Sequence, residues 1–301
     1  MSCRGDDKPM IGVDFGGTRI KVGKVSGATV ENSLSVATRP ADGPSQILDQ
    51  IADSVRQIEK SPEGVGLAVP GIVAPNGVCT RLTNVPGFQG VNLAEELGKR
   101  LGCRVVVEND ATTAALAELM EGHGRTYNSF LMLTLGTGIG GGLAIDGRLR
   151  RGKNGFAGEC GHTPIERSET AWPCGCGLKG CLESYAGTKA LLRKFAELGG
   201  TATEVLPIAE SARRKEPAGL QTFAMMGRAL GIAIAGFQNT LDLDAIVFTG
   251  GISSSFDLIE PSLKKSLDEF AFAPPLAQIP LLVSELGDKT GLLGAAYLTT
   301  L

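Results

Sequence analysis

No block of Lys and Arg occurs anywhere in this sequence, whose formal net charge is −3. Clustered cations are what neutralise phosphates, so nucleic acid is excluded as the main partner. Long apolar runs are missing too, and the opening MSCRGDDKPM lacks the apolar core of a signal peptide. The expectation is a cytoplasmic protein without a membrane partner. Aromatics make up only 5% against 43% hydrophobic residues, so the core of the 301-residue chain is expected to be aliphatic. Seven cysteines is an odd number, and a reducing compartment disfavours disulfides. Close cysteine spacing in such a chain points to metal binding or redox chemistry.

Glycine, by contrast, is plentiful. The 42 glycines are about double an average share. They cluster at the ends of apolar runs, where backbone turns sharply or approaches something closely. MIGVDFGGTRIKVGKV reads as strand, glycine turn, strand, with another strand predicted over Thr29–Ala37. PSQILDQIADSVRQIEK places Ile47, Leu48, Ile51, Val55 and Ile58 at helical spacing. GVGLAVPGIV is a buried strand ended by Pro70-Gly71. In VNLAEELGKRLG, Asn92 caps a short helix, Glu95 is its capping-box partner and Gly102 follows its end. RVVVEND is a strand, and a helix starts at Asp110.

The second half opens in the same order. SFLMLTLGTGIGGGLAIDGRL is again strand, glycine turn, strand, with Asp146-Gly147 as a hairpin turn. Helices are predicted near Lys189–Leu198 and Leu220–Gln238, a strand in DAIVFTGGIS and a closing helix in TGLLGAAYL. Two halves with one order of elements predict a duplicated α/β unit with a cleft between the copies. The expected division is a smaller domain of 1–112 plus about 288–301, and a larger one of 113–287 that carries the cysteine insert.

GTGIGG matches a dinucleotide fingerprint, but that motif requires a helix to start there, and GGLAIDGRL alternates as a hairpin does. A P-loop fails as well, since Val25 stands where Ser or Thr must reach magnesium. What remains is a glycine turn between strands, twice, at Asp14–Thr18 and Leu135–Gly141. Either alone could be a tight hairpin without a ligand. Two equivalent turns, one per half, favour phosphate binding by backbone N–H groups and Thr hydroxyls. Asp14 then serves magnesium beside a triphosphate.

The insert reads PCGCGLKGCLES. Cys174, Cys176 and Cys181 suit thiolates converging on one ion. A redox pair or three buried thiols are the alternatives, although C-x-x-C near a strand-to-helix junction is absent. A closed tetrahedral site wants a fourth ligand. There are two histidines, and His162 lies twelve residues before Cys174.

VDFGGT, PGIV, NVPGF, END, LGTGIGGG, GECGH and CGCGLKGCLE, in that order, resemble the motifs of the ROK family (repressors, open reading frames, kinases) from about Ile11 to Gly294. The resemblance implies a two-domain actin-like ATPase (ribonuclease H-like) fold. It implies an ATP-dependent hexose kinase, most nearly a glucokinase, that moves the γ-phosphate to the sugar 6-hydroxyl. A kinase for N-acetylmannosamine or N-acetylglucosamine, or a non-catalytic sugar sensor, is the alternative. The family's repressors carry a helix-turn-helix before the first strand, and with about ten residues before Ile11 a repressor is not the expectation here.

Carried onto this chain, the family pattern makes Asp110 the catalytic base, although Asp there also reads as a helix N-cap. Gly71, Asn84, Asn109, Asp110, Glu159, His162 and Glu183 would meet the hexose. MgATP would lie on Asp14, Gly16, Gly17, Thr18, Thr137, Gly138, Gly140, Gly250 and Gly251. His162, Cys174, Cys176 and Cys181 would hold a structural zinc ion, Zn2+, whose removal is expected to damage sugar binding before nucleotide binding. The implied cofactors are thus ATP, Mg2+ and Zn2+, and the implied assembly is a homodimer. Cys160, where GE-x-GH commonly has an aliphatic residue, is expected to be a buried thiol and not a fifth ligand.

Overall fold

The computed structural model of the chain describes residues 9–82 and 85–301. Its strands are β1 (Met10–Phe15), β2 (Arg19–Ser26), β3 (Thr29–Ala37), β4 (Gly64–Val69), β5 (Gly71–Val73), β6 (Cys79–Leu82), β7 (Arg104–Asn109), β8 (Phe130–Leu135), β9 (Ile139–Ile145), β10 (Arg148–Arg150), β11 (Ala245–Thr249) and β12 (Leu281–Val283). Its α-helices are α1 (Pro44–Ile58), α2 (Leu93–Leu101), α3 (Asp110–Glu121), α4 (Glu183–Ala186), α5 (Thr188–Glu197), α6 (Val205–Arg213), α7 (Pro217–Leu241), α8 (Phe256–Phe270), α9 (Pro274–Ala277) and α10 (Thr290–Tyr297).

Two compact units result. The first takes in Met1–Asn128, Gly142–Ala157 and Glu285–Leu301, and the second Ser129–Gly141 and Gly158–Ser284. One five-stranded sheet runs β3-β2-β1-β4-β7 and the other β10-β9-β8-β11-β12. In each, the middle strand opens a meander, and two further strands join parallel to it: β4 and β7 in one, β11 and β12 in the other. The duplication expected from the order of elements is therefore present in the two five-stranded sheets, while β5 and β6 pair in a small sheet of their own.

In the first unit the period of two along β1 sorts side chains by face. Ile11, Val13 and Phe15 enter an aliphatic cluster with Ile47, Leu48, Ile51 and Val55 of α1 and with Leu93 and Leu97 of α2. Gly12 and Asp14 face the other way, onto α10. A Cβ on Gly12 would lie 2.3 Å from the Leu292 carbonyl oxygen, and one on Gly66 of β4 only 1.7 Å from that of Ala295. These glycines let α10 lie directly on the sheet, and Asp14 shares their face. α2 ends as its sequence predicts: the Asn92 side chain accepts the Glu95 N–H, and Gly102 takes a left-handed φ of 72°.

The second unit buries α7 against α8. α7 has 25 residues and is apolar enough to match a membrane span, contrary to the expectation that no stretch approaches one. Phe223, Met226, Leu230 and Ile234 of α7 are buried, as are Ile259, Leu263 and Leu267 of α8. Gly227 and Gly231 bring the helices together, since a Cβ at either would meet Ser262 or Ser266 of α8 within 2.4 Å.

Candidate active site

The first unit carries candidate residues at the carboxyl ends of β1 and β7. The turn after β1 is closed by the Gly16 N–H on the Arg19 carbonyl (2.9 Å) and clasped by Thr38, whose hydroxyl donates to the Gly16 carbonyl (2.7 Å) and whose N–H donates to the Thr18 carbonyl (2.9 Å). Asp14 pairs in register with Lys21, whose Nζ lies 4.0 Å from its Oδ2. Burial raises the Asp14 pKa, and Lys21 opposes the rise. Gly291, in the first turn of α10, makes room for this carboxylate: a Cβ there would sit 2.7 Å from Oδ2.

Asp110 stands one residue beyond β7. The cap of α3 is Asn109 and not Asp110, because Asn109 is still extended and its Oδ1 accepts the N–H groups of both Ala111 (2.9 Å) and Thr112 (3.0 Å). Asp110 thereby becomes the first helical residue. Its Oδ1 accepts the Ala111 N–H (2.8 Å) and the Asn109 side-chain amide (3.1 Å). The carboxylate reaches solvent but is surrounded by protein on most sides. That burial, with the nearby Asp14 charge adding to it and the Ala111 N–H opposing, pushes its pKa up to about 6.

Asn109 spends its second amide hydrogen on the Gly71 carbonyl (3.0 Å). Its polar atoms thus orient Asp110 and the Gly71 strand. The missing side chain of Gly71 is explained by β6, since a Cβ there would lie 2.1 Å from the Arg81 carbonyl. Asn84 lies outside the described residues.

In the second unit, four predicted groups converge. The Gly136 N–H closes the turn on the Gly138 carbonyl (3.1 Å), and Gly140 donates to the Thr134 hydroxyl (3.1 Å). Gly250, at φ 89°, packs on the base of this turn, where a Cβ would lie 2.5 Å from the Leu135 carbonyl. Gly161, between Glu159 and His162, packs on its far side: a Cβ there would lie 2.1 Å from the Ile139 carbonyl. Glu183, at the start of α4, accepts the Ile139 N–H on Oε2 (3.1 Å).

The ligand atoms of His162, Cys174, Cys176 and Cys181 all lie within 4.8 Å of one another. Cys174 Sγ is 3.7 Å from His162 Nδ1, and Cys176 Sγ is 3.8 Å from Cys181 Sγ. His162 Nε2 faces Glu159, 3.8 Å from Oε2. Left-handed backbone at Gly177 (φ 94°) and Gly180 (φ 75°) folds the three cysteines inward. Trp172 stacks on Tyr185 with centroids 5.0 Å apart, and the Arg193 guanidinium covers it at 3.9 Å. Cys160 stays out of the cluster; burial, then the Glu159 charge, pushes its thiol up to about 12.

Sequence reasoning missed several supporting residues. Glu108, almost fully buried one position before Asn109, is gripped by Arg151 at 2.5 Å and accepts the Asn109 N–H at 2.8 Å. Thr38 and Thr188 brace the two glycine turns. Glu108 belongs to the END motif and could have been flagged as a carboxylate in a strand that needs a partner. The two threonines carry no local signal.

Matching strand orders, each opening on strand, glycine turn, strand, define a duplicated α/β protein of the actin-like ATPase fold. The ROK family model matches residues 10–300. A glucokinase of Streptomyces coelicolor is 34% identical over 96% of this chain and 96% of its own. An N-acetyl-D-glucosamine kinase of Vibrio parahaemolyticus is 31% identical over 95% of this chain and 98% of its own. The crystal structure of a ROK family glucokinase from Streptomyces griseus in complex with glucose and AMPPNP is 32% identical, with a TM-score of 0.79 over 96% of this chain and 98% of that one. This chain belongs to the ROK family.

Proposed function

We propose that the protein is an ATP-dependent glucokinase that transfers the γ-phosphoryl group to the 6-hydroxyl of glucose. The observation that carries this reading is Asp110, a carboxylate at the head of α3 whose pKa is pushed up to about 6. Such a base is ionised at neutral pH and still basic enough to take a proton. Asp110 would accept the hydrogen of the attacking hydroxyl, late in a loose transition state, so orientation matters more than basicity. Asn109 fixes that orientation by holding Oδ1.

The Gly16–Thr18 and Thr137–Gly140 turns would line the phosphates, and Gly250-Gly251 would let the adenosine approach the backbone. Asp14 suits Mg2+, which when bound neutralises developing charge on the phosphates. Glu159, His162 and Glu183 would receive sugar hydroxyls, with Asn109 and Gly71 in support.

The thiol–imidazole cluster fits a structural Zn2+. A tetrahedron with Zn–S bonds of ~2.3 Å has edges of about 3.8 Å, and two edges of the cluster measure 3.7 and 3.8 Å. With four protein ligands the ion supplies rigidity and no open coordination position. His162 would bind through Nδ1, leaving an Nε2 proton directed at Glu159.

ADP release measured with glucose, N-acetylglucosamine and N-acetylmannosamine tests the reading, with the highest kcat/KM expected for glucose. The likeness to an N-acetyl-D-glucosamine kinase supports a second reading, in which the N-acetyl sugar has the higher value. ADP release that no sugar stimulates overturns both.

A further inference from the structure

We infer that Glu183 is a positioning residue that couples the thiol–imidazole cluster to the Gly136–Ile139 turn, so that filling the cluster tightens nucleotide binding. This rests on the proposed reading of the cluster as a zinc site and of the turn as a phosphate loop.

Glu183 follows Cys181 by two residues, and Leu182 between them is fully buried, its N–H fixed on the Thr163 carbonyl at 2.9 Å. From this anchored position one carboxylate reaches in two directions. Oε2 accepts the Ile139 N–H at 3.1 Å, and Oε1 lies 3.7 Å from Cys174 Sγ. Gly138 keeps the first path open, because a Cβ there would stand 2.3 Å from Oε2. Five residues after Glu183, the Thr188 N–H and hydroxyl both donate to the Gly136 carbonyl, at 3.0 and 2.9 Å.

The turn is therefore pinned at both ends to residues 183–188, with Thr137 and Gly138 held between the pins. The other end of that segment is a cluster ligand, Cys181. An ion that fixes Cys181 and Cys174 fixes the base from which Glu183 reaches. On this geometry metal loss acts on the nucleotide turn as directly as on the sugar residues, unlike the order expected from the motifs alone. A bond from N–H to a charged acceptor limits the coupling to roughly tenfold to a hundredfold.

The test uses the full chain, with zinc content measured and zinc then withdrawn by a zinc-selective chelator. Trp172, the single tryptophan, stacks on Tyr185 two residues before Cys174, so its fluorescence follows release of the ion. Calorimetry with magnesium and a non-hydrolysable ATP analogue reads nucleotide affinity at each stage. The wild type is expected to lose about tenfold in affinity on zinc removal and to regain it on zinc return. Glu183→Ala should bind the nucleotide about tenfold more weakly with zinc present, with no further loss on its removal. Glu183→Gln keeps an oxygen for Ile139 N–H and should fall between, with part of the zinc response retained.

Equal wild-type affinity with and without zinc, while Trp172 reports full release, overturns the coupling and leaves the zinc site standing. Nucleotide affinity in Glu183→Ala equal to wild type also overturns it. A chain that takes up no stoichiometric zinc removes the zinc reading and the coupling together.

Discussion

The two glycine turns occupy equivalent places in sheets of equivalent order, yet they are held by different chemistry. The turn after β1 is clasped by Thr38, which directly follows β3 of the same sheet. Its geometry is inherited from the sheet itself. The turn after β8 is braced by Glu183 and Thr188, which follow the cysteine insert. Duplication copied the strand order without copying the supports. A turn held by its own sheet answers only to the stability of that sheet. A turn held by a carboxylate beside a thiol cluster answers also to whatever occupies the cluster.

The largest expected effect falls at Asp110, in the unit that holds the self-supported turn. Asp110→Asn should lower kcat by about 10²–10⁴ with sugar KM largely kept, as steady-state kinetics would show. Turnover within a fewfold of wild type would remove Asp110 from its role. In the wild type, kcat/KM should fall on acidification through about pH 6, because the base must be ionised and its pKa is raised to about 6. A limb near pH 4, the ordinary Asp range, would contradict the burial argument. The same shift sets the sign for stability. A carboxyl with a raised pKa stabilises the fold fully below the unfolded value of 3.8, and that contribution is lost as pH rises through about 6. Asp110→Asn should therefore melt higher than wild type at pH 7, as calorimetry would record.

A smaller loss is expected from Arg151→Met, which leaves Glu108 buried without its cation. Urea unfolding should show about 2–3 kcal/mol, below the full cost of breaking a buried pair because solvent reaches part of Arg151. The smallest effects sharpen the contrast directly. Thr38→Val and Thr188→Val each remove one hydroxyl donor to a turn carbonyl, worth about 1 kcal/mol. The first should lower the melting temperature whether or not zinc is bound. The second should matter most in zinc-free protein, where the remaining brace is weakest. Equal behaviour of the two variants across both metal states would erase the distinction between the turns.

Much of this architecture was legible in the sequence because its signals are local. The caps of α2, the strand, glycine turn, strand openings and the cysteine spacing all act within a dozen residues. The cap of α3 was misassigned because Asn109 and Asp110 are adjacent and both favour capping; only the extended backbone at Asn109 decides between them. The pairing of Glu108 with Arg151 spans more than forty positions, and the clasp of Thr188 on Gly136 more than fifty. Such contacts have no period and no spacing rule. They follow from which strand ends the topology brings side by side.

Gly12 and Gly66 leave β1 and β4 bare where α10 lies on them. During synthesis, then, β1 and β4 leave the ribosome with one face uncovered, and α10, which covers it, is made only after β12. The stretch from Gly158 to Ser284 is complete before that segment emerges. The sheet that contains β1 is in this sense completed after the stretch that follows it, and a deletion that removes α10 would injure that sheet.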